Sequence, residues 1–383
     1  MSTIVIIHFA PAELYPPVQN LIRVLEKESM NSQVIVLTTA PSSPFVYFKS
    51  GSTNIKIIRV GKSGQRIKPV IRYACYVWFY LMAFFFLVRY KPGKVLYFET
   101  ISSFPAYLYK RFCNLKTKLF IHYHEYTSPQ EYASGMKLTR YFHKKEKKLY
   151  PKAEWISHTN SFRMNLFLQD IGVAKLEGAR IVPNYPPKSW LKQPKVKNST
   201  PLKIVYVGAL SLTTMYTQEF AEWVRLQHGE VTWSIYTSNS TNDAKAYLQG
   251  LQSEWIHLFE GVPYEQLSEV LKNYDVGVIL YKGHIPNYVY NAPNKLFEYI
   301  ICGLDVLFPS NLIGSNELEN RNSLPRVLGQ DFTSLDTLPL SELLNHGHLP
   351  VRSISYSAED ALKELVHKLS RNDTPDTTIS TSI

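Results

Sequence analysis

The sequence predicts two α/β domains, each built on a parallel sheet with helices on both faces. Short β-branched or aromatic runs alternate with helical stretches along the chain, which is the rhythm of doubly wound sheets. The runs are almost continuously apolar, which is typical of strands covered on both sides. A length of 383 residues suits two ordinary domains better than one.

Six runs in the first half of the chain are predicted to be strands. They are residues 3–9, 32–39, 55–61, 94–100, 118–126 and 153–159. Most of the intervening stretches are long enough for crossover helices, including a basic one at 137–150. The run at 73–88 is apolar on every side, but as a helix of about 24 Å it falls short of a hydrocarbon core of about 30 Å. A core helix is favoured there, and a helix partly embedded in a membrane surface is the alternative.

Residues 184–201 are rich in Pro, Lys, Ser and Asn, which is the composition of a linker. The rhythm then restarts, with strands predicted at 202–208, 231–238, 256–262, 276–282 and 305–309 and helices near 215–228, 242–252, 264–273 and 357–370. The predicted parts are an N-terminal domain at 1–185, a linker at 186–201, a C-terminal domain at 202–370 and a flexible tail at 371–383. A cleft is expected between the carboxyl ends of the two sheets.

Charge and cysteine content restrict the class of protein. Residues 1–190 carry 27 Lys and Arg against 10 Asp and Glu, whereas the rest of the chain is mildly acidic. Such asymmetry favours an anionic surface or substrate, and nucleic acid is not expected because no recognition motif accompanies the basic residues. Three widely spaced cysteines and an N-terminal apolar run too short for a signal peptide predict a cytoplasmic location.

The stretch NAPNKLFEYIICG at 291–303 is the strongest sequence signal of a ligand site. Pro293 suits the first position of a short helix, and Gly303 suits its end. Lys295 in the first turn opposes the helix dipole unless an anion binds there. A diphosphate would remove that conflict, and Glu298 could then accept both hydroxyls of a ribose. The alternative is a surface ion pair between Lys295 and Glu298.

Other polar residues lie at predicted strand ends. His122 and His124 point to one face of a strand whose carboxyl end carries Glu125. Two His and a Glu are good metal ligands, but no further ligand at a suitable spacing in the sequence supports a metal site. A buried core position is favoured for His122, and Asn160 or Ser161 is expected to cap the helix after the strand at 153–159.

The block PNKLFEYIICGLDV resembles the P-[NS]-K-x-F-E-Y-x-x-x-G-x-P-V block of GT-B glycosyltransferases. The resemblance is to the retaining, family 4-like group that builds bacterial polysaccharides and capsules. It extends to VGALS after the first strand of the second half and to FEGVPYEQLSEVLKNYDVGVILY before the helix. It implies the GT-B fold, with two Rossmann-like domains facing across a cleft. It also implies a retaining hexosyltransferase that uses a nucleoside diphosphate sugar without a metal or other cofactor.

The same resemblance assigns roles to residues. Glu298 would bind the ribose and Lys295 would lie beside the diphosphate. Further donor-site candidates are Asn294, Gly208, Tyr281, Gly283, Tyr290 and Asn291. His124, with Glu125 beside it, matches a catalytic His near the donor sugar, and Glu13 is predicted to contact the acceptor. Two positions depart from the family pattern, since Tyr290 stands where a second Glu is frequent and Asp305 where proline is usual.

The expected function is transfer of a sugar from a nucleoside diphosphate to a glycan acceptor, in particular a lipid-diphosphate-linked one. The apolar run 73–88 and the basic helix 137–150 favour an enzyme that is peripheral at the anionic inner face of a membrane. One alternative is another nucleotide-sugar enzyme of this fold, such as a 2-epimerase. The other is a non-catalytic protein that binds nucleotide sugars or membranes.

Overall fold

The computed structural model describes residues 3–28, 32–41, 47–63, 69–194, 200–344 and 349–371. The chain divides into two compact units. The first unit comprises Met1–Tyr123, Gly135–Ile156 and Leu362–Ile383, and the second comprises His124–Ser134 and Ser157–Ala361. The predicted domains are contiguous in sequence, whereas these units interleave. Residues 195–199 of the predicted linker and 372–383 of the predicted tail lie outside the described residues.

The described residues form a seven-stranded and a six-stranded sheet. The first contains β1 (Thr3–Ile7), β2 (Gln33–Pro41), β3 (Ile55–Ser63), β4 (Lys94–Phe98), β5 (Lys118–Tyr123), β6 (Trp155–His158) and β7 (Ala179–Ile181), in the order β3-β2-β1-β4-β5-β6-β7. The second contains β8 (Leu202–Val207), β9 (Val231–Thr237), β10 (Ile256–Glu260), β11 (Val276–Val278), β12 (Asp305–Pro309) and β13 (Val327–Gln330), in the order β10-β9-β8-β11-β12-β13. Strands β1–β5 pair in parallel, as do the six strands of the second sheet.

Helices connect most of the strands. They are α1 (Pro16–Lys27), α2 (Pro69–Tyr90), α3 (Ser103–Phe112), α4 (Pro129–Ser134), α5 (Lys137–Glu146), α6 (Ser161–Asp170), α7 (Thr217–Leu226), α8 (Asn242–Gly250), α9 (Tyr264–Leu271), α10 (Pro286–Val289), α11 (Asn294–Ile301), α12 (Ile313–Asn316), α13 (Leu340–Leu344) and α14 (Ala358–Ser370). Each predicted strand is confirmed. Strands β7 and β13 were not predicted, because runs of three and four residues are too short to show a period.

Helix α2 differs from the core helix that its sequence favoured. It has 22 residues, or about 33 Å, because it begins before the apolar run. By length and composition it could cross a membrane, a test that core helices of soluble proteins also pass. Only 22% of its most apolar window is buried, so the core interpretation was wrong for most of its surface.

The C-terminal end of α14 is held within the first unit by a buried lysine. Nζ of Lys94, the first residue of β4, donates to the carbonyl oxygens of Lys368 and Leu369 at 2.9 and 3.2 Å, and also to that of Arg371. A cation at this position satisfies carbonyls that a helix end leaves unpaired and opposes the negative end of the dipole. This contact explains why residues after 361 group with the N-terminal strands.

A buried ion pair in the second unit accounts for Asp305. Its carboxylate accepts the backbone N–H of Arg326 at 2.7 Å and the Nε–H of the same residue at 2.9 Å. The remaining guanidinium nitrogens donate to the carbonyls of Glu342 and Leu343. Asp305 therefore joins β12 to the residues before β13 and to α13, a role that a proline at this position could not perform.

Candidate functional site

Helix α11 begins one residue later than predicted, at Asn294, with Pro293 as its N-cap. The helix ends at Ile301, close to the predicted stop at Gly303, whose φ of +79° is not helical. A β-carbon on Gly303 would also lie 2.8 Å from the carbonyl oxygen of Gln193. Both conditions favour glycine there.

The ammonium group of Lys295 lies directly over the glycine turn that ends β8. A β-carbon on Gly208, whose φ is +135°, would come within 2.8 Å of Nζ of Lys295. Nζ donates to the hydroxyl of Tyr206 at 3.2 Å. It also lies 4.4 and 5.0 Å from the ring centroids of Tyr206 and Tyr281, at distances where a ring face attracts a cation. The structure thus brings together Gly208, Tyr281 and Lys295, and their role as donor contacts stays a prediction.

Tyr299 fixes the position of α11 relative to that turn. Its ring lies on Gly277 of β11, where an added β-carbon would be 2.1 Å from the ring. Its hydroxyl accepts the N–H of Val207 at 3.1 Å. The last residue of β8 is therefore bonded to the helix that carries Lys295 and Glu298, which leaves little freedom in their spacing.

Glu298 is buried, with 6% of its surface exposed. Burial raises the pKa of its carboxyl to about 7, although the charge of Lys295 opposes the rise. Among the described residues no hydrogen bond donor or ion-pair partner lies against the carboxylate, so the surface ion pair with Lys295 is not formed. Its oxygens are not among the fully buried side-chain atoms that lack a partner, so they stay accessible to hydroxyl groups of a ligand.

The loop between β11 and α11 holds the weaker donor-site candidates. Gly283 adopts a φ of +62°. The carbonyl of Tyr290 accepts the side-chain N–H of Asn160 at 2.8 Å, and the carbonyl of Asn291 accepts the hydroxyl of Ser315 at 2.9 Å. Their backbones therefore set the shape of the loop that leads into the helix.

A buried arginine that sequence reasoning missed ties this loop to His124. One terminal nitrogen of Arg163 donates to the carbonyl of His124 at 2.8 Å and to the hydroxyl of Thr159 at 2.9 Å. The other donates to the carbonyl of Asn287 at 2.9 Å and to its side-chain oxygen. That oxygen also accepts the N–H of Tyr126 at 2.9 Å. Arg163 therefore joins the segment after β5 to α10.

The position of Arg163 follows from the cap of its helix. Asn160 is the N-cap of α6 and its side chain accepts the N–H of Arg163 at 2.9 Å, which confirms the predicted capping. In the sequence SFRMN an arginine resembles any exposed helical residue. No pattern there shows that the guanidinium is buried.

His124 is neutral near physiological pH. Burial lowers the pKa of its imidazole to about 4, a hydrogen bond with Asn184 opposes that change, and Arg163 adds to it. The ring nitrogen Nδ1 lies 3.3 Å from the side-chain oxygen of Asn184. Because the amide oxygen can only accept, Nδ1 carries the proton, so the neutral ring offers Nε2 as an acceptor for a sugar hydroxyl and brings no charge.

Tyr281 lies within electrostatic reach of both sets of predicted residues. Burial raises the pKa of its phenol, and the charges of Glu125 and Glu298 add to that rise. Its ring stacks on Tyr288 with 4.9 Å between centroids. The charges of Glu125 and Glu298 thus act on the same buried phenol of the second unit.

Comparison with known proteins places this architecture. No protein-family model matches the sequence, and none of the curated proteins is similar enough to match. Solved structures do match along almost the whole chain. Sucrose-phosphate synthase from Thermosynechococcus elongatus has a TM-score of 0.64 at 13% identity, over 97% of this chain and 95% of the other. The apo lipopolysaccharide outer core galactosyltransferase WaaB has a TM-score of 0.59 at 14% identity, over 96% and 99%. The chain has the GT-B fold.

A third match shows that enzymes of another reaction class share this GT-B architecture. The UDP-GlcNAc 2-epimerase from Neisseria meningitidis, bound to UDP-GlcNAc, has a TM-score of 0.57 at 12% identity, over 97% of this chain and all of the other. At such identities the likeness establishes the GT-B fold and not the reaction.

Glu13 lies in the first unit, where its side chain makes an ion pair and a hydrogen bond within the fold. Its carboxylate is ion-paired with Arg59 and accepts the N–H of Phe48 at 3.1 Å. These contacts hold the segment around Phe48 against β3. The acceptor role of Glu13 stays a prediction.

Within the described residues, no group of three His, Cys, Asp or Glu side chains is arranged to hold a metal ion. His122, one of the residues weighed as a ligand, is buried with its ring 5.7 Å from that of Phe98. That is the core position favoured for it.

Proposed function

We propose that the protein is a glycosyltransferase that binds a nucleoside diphosphate sugar at the start of α11. The observation that carries the proposal is the pairing of Lys295, held over the Gly208 turn, with Glu298, a buried carboxylate without a partner. A diphosphate would face Lys295 and the first N–H groups of the helix. A ribose would offer two hydroxyls to Glu298. The GT-B structure with UDP-GlcNAc bound supports this class of ligand.

In the proposed reaction the bond between the anomeric carbon and the diphosphate oxygen breaks, a bond to the acceptor hydroxyl oxygen forms, and the hydroxyl proton passes to the departing diphosphate. The departing diphosphate gains negative charge, which Lys295 and the α11 N-terminus stabilise without a metal. Asn294 lies in the same first turn. The neutral imidazole of His124, whose Nδ1 donates to Asn184, accepts a hydrogen bond from a sugar hydroxyl through Nε2, and Glu125 orients it or contacts the acceptor. Retention of configuration follows from the resemblance in sequence alone.

The acceptor in this proposal is a glycan, in particular one linked to a lipid diphosphate, and Glu13 is its candidate contact. The strongly basic first 190 residues support an anionic acceptor. Such an enzyme would act in bacterial surface polysaccharide or glycoconjugate synthesis. It would be cytoplasmic and peripheral at the inner face of the membrane.

A second candidate function is 2-epimerisation of a nucleotide sugar, favoured by the epimerase among the matching GT-B structures. The two differ in whether an acceptor is needed. The protein is incubated with UDP, GDP, ADP and dTDP sugars, with and without oligosaccharides and polyprenyl diphosphate sugars, and the products are separated by mass spectrometry and chromatography. A transferase yields an extended acceptor, and free nucleoside diphosphate accumulates with it.

The controls use two lysines of the second unit. Lys295→Ala removes the proposed diphosphate contact, whereas Lys282→Ala removes a lysine ion-paired with Glu219 at 2.9 Å. Loss of transfer in the first variant and near-normal transfer in the second are expected. Formation of an isomerised nucleotide sugar in the absence of acceptor would show that the protein is an epimerase and not a transferase. Binding of a nucleotide sugar without conversion would indicate a non-catalytic protein. Absence of both binding and conversion would refute the transferase and the epimerase proposals.

A further inference from the structure

Helix α2 presents a row of large apolar side chains to solvent. Their exposed fractions run from 41% for Val88 to 83% for Val70, and Trp78 and Phe85 are each 52% exposed. The full row is Val70, Ile71, Tyr73, Val77, Trp78, Leu81, Phe85 and Val88. Most of these residues are three or four apart and share one side of the helix. A contiguous exposed apolar surface of this kind marks an interaction site.

The opposite side of α2 is packed into the first unit. Phe79, Ala83 and Leu87 are fully buried. The ring of Phe9, just after β1, lies 4.7 Å from that of Tyr76 and 5.1 Å from that of Phe79. A helix crossing a bilayer would have to expose these contacts, so α2 can meet a membrane only with its outward side while this unit stays folded.

The charges around the exposed row have one sign. Arg72 and Arg89 lie near the ends of α2, Lys91 follows it, and the helix contains no acidic residue. The basic helix α5 packs beside it, since the rings of Tyr80 and Phe142 are 4.9 Å apart. The exposed basic residues of α5 and the turn after it are Lys137, Arg140, Lys144, Lys147 and Lys148.

We propose that α2 is the membrane-binding surface of the protein and lies flat in the headgroup region of an anionic bilayer. The exposed row enters the boundary between headgroups and acyl chains, where Trp and Tyr are favoured. Arg89, Lys91 and the α5 lysines lie against lipid phosphates, which strengthens binding to an anionic surface. A second copy of the chain is a poorer occupant, because pairing α2 with itself would bring only like charges together.

The test measures binding of the full chain to vesicles of phosphatidylcholine alone and of phosphatidylcholine with phosphatidylglycerol. Binding is expected only with the anionic lipid and is expected to weaken as salt rises. A Leu81→Gln, Phe85→Gln double variant is expected to lose at least tenfold in partitioning. The matched control, Leu226→Gln, changes an apolar residue of the second unit that is 56% exposed, and it is expected to bind like the wild type.

Three further measurements test for misfolding of the double variant, for a membrane-spanning α2 and for a dimer that covers the exposed row. Thermal melting of the double variant is expected to match the wild type, since both side chains are exposed. Bound protein is expected to be released by alkaline carbonate, whereas retention would indicate a spanning helix. A dimer in light scattering that dissociates in the double variant would show that a second copy covers the face.

Equal vesicle binding by the double variant and the wild type, or no binding to anionic vesicles, would overturn the proposal. Vesicle binding needs no nucleotide sugar, so this result is independent of the donor site.

Discussion

Glu298 is the residue whose titration reports most directly on the candidate site. Burial raises its pKa to about 7, from an ordinary 4.5. Because the folded pKa is the higher one, folding favours the protonated form. The associated stability is present below pH 4.5 and is lost as pH rises through 7.

Glu298→Gln should therefore stabilise the protein only at the higher pH. The free energy of unfolding is expected to match that of the wild type near pH 4.5 and to exceed it at pH 8 by at most about 3 kcal/mol. Urea denaturation at the two pH values measures this. A difference that does not change with pH would contradict the buried, unpaired carboxylate.

The buried histidines act in the opposite direction. Burial lowers the pKa of His124 to about 4 and that of His158 to about 3, and Arg163 adds to both changes. Their stabilising contribution is present above pH 6.5 and is lost as pH falls through these lower values. Acidification below pH 6.5 is thus expected to weaken the fold through His124 and His158.

Glu99 is strained. It follows β4 with φ of 60° and ψ of 153°, a region that costs a residue other than glycine about 1–3 kcal/mol. Its N–H donates to the carbonyl of His122 at 3.1 Å, and its carbonyl accepts the N–H of Ser102 at 3.0 Å. These bonds hold the unfavourable conformation in place at the carboxyl end of β4, an inner strand of the first sheet.

Glu99→Gly is expected to raise the free energy of unfolding by about 1 kcal/mol relative to Glu99→Ala, because the strain it removes exceeds the entropy that glycine adds to the unfolded chain. Alanine keeps the β-carbon and removes the same carboxyl, so it is the matched reference in urea denaturation. A glycine variant less stable than the alanine variant would argue against strain.

At the scale of elements, Arg163 of α6 contacts two other segments at once, in addition to the bonds of Asn160 to Tyr290 and of Tyr126 to Asp170. Arg163→Lys keeps the charge but loses the planar fork that reaches His124 and Asn287 at once. A loss of about 2 kcal/mol in the free energy of unfolding is expected, because buried carbonyls are left without donors. Urea denaturation measures it.

Arg180→Lys is the control for that change, since Arg180 also donates to backbone carbonyls but lies nearer the surface. Its cost is expected to be below about 0.5 kcal/mol. Equal losses of unfolding free energy in the two variants would show that the hydrogen bonds of Arg163 stabilise the fold no more than those of a surface arginine.

Elements with a clear period or motif could be predicted from the sequence, and isolated contacts could not. Apolar runs predicted the strands, and the conflict between Lys295 and the helix dipole indicated the candidate site. Apolarity did not show which side of α2 is covered, since the same residues serve a core or a membrane. Arg163 and the Asp305–Arg326 pair depend on partners far along the chain, which no local pattern identifies.

At the scale of the whole molecule, two sheets and the matching solved structures establish the GT-B fold. The second unit contains Lys295 and Glu298 together with His124 and Glu125, whereas the exposed row of α2 belongs to the first unit. The proposed donor chemistry and the proposed membrane contact thus rest on separate parts of the chain. Each can fail without the other.

The most direct test of the donor site is calorimetric binding of a panel of nucleotide sugars at pH 6 and pH 8. Unlike a free nucleoside diphosphate, these compounds have no group that titrates near neutral pH, so a pH effect reports on the protein. Wild-type protein is expected to bind at least one of them about tenfold more tightly at pH 8, because Glu298 must be charged to accept two ribose hydroxyls. In Glu298→Gln the binding is expected to be weaker and independent of pH, whereas Lys282→Ala should behave like the wild type. Absence of binding to every nucleotide sugar, or equal affinities of wild type and Glu298→Gln at both pH values, would contradict the donor site.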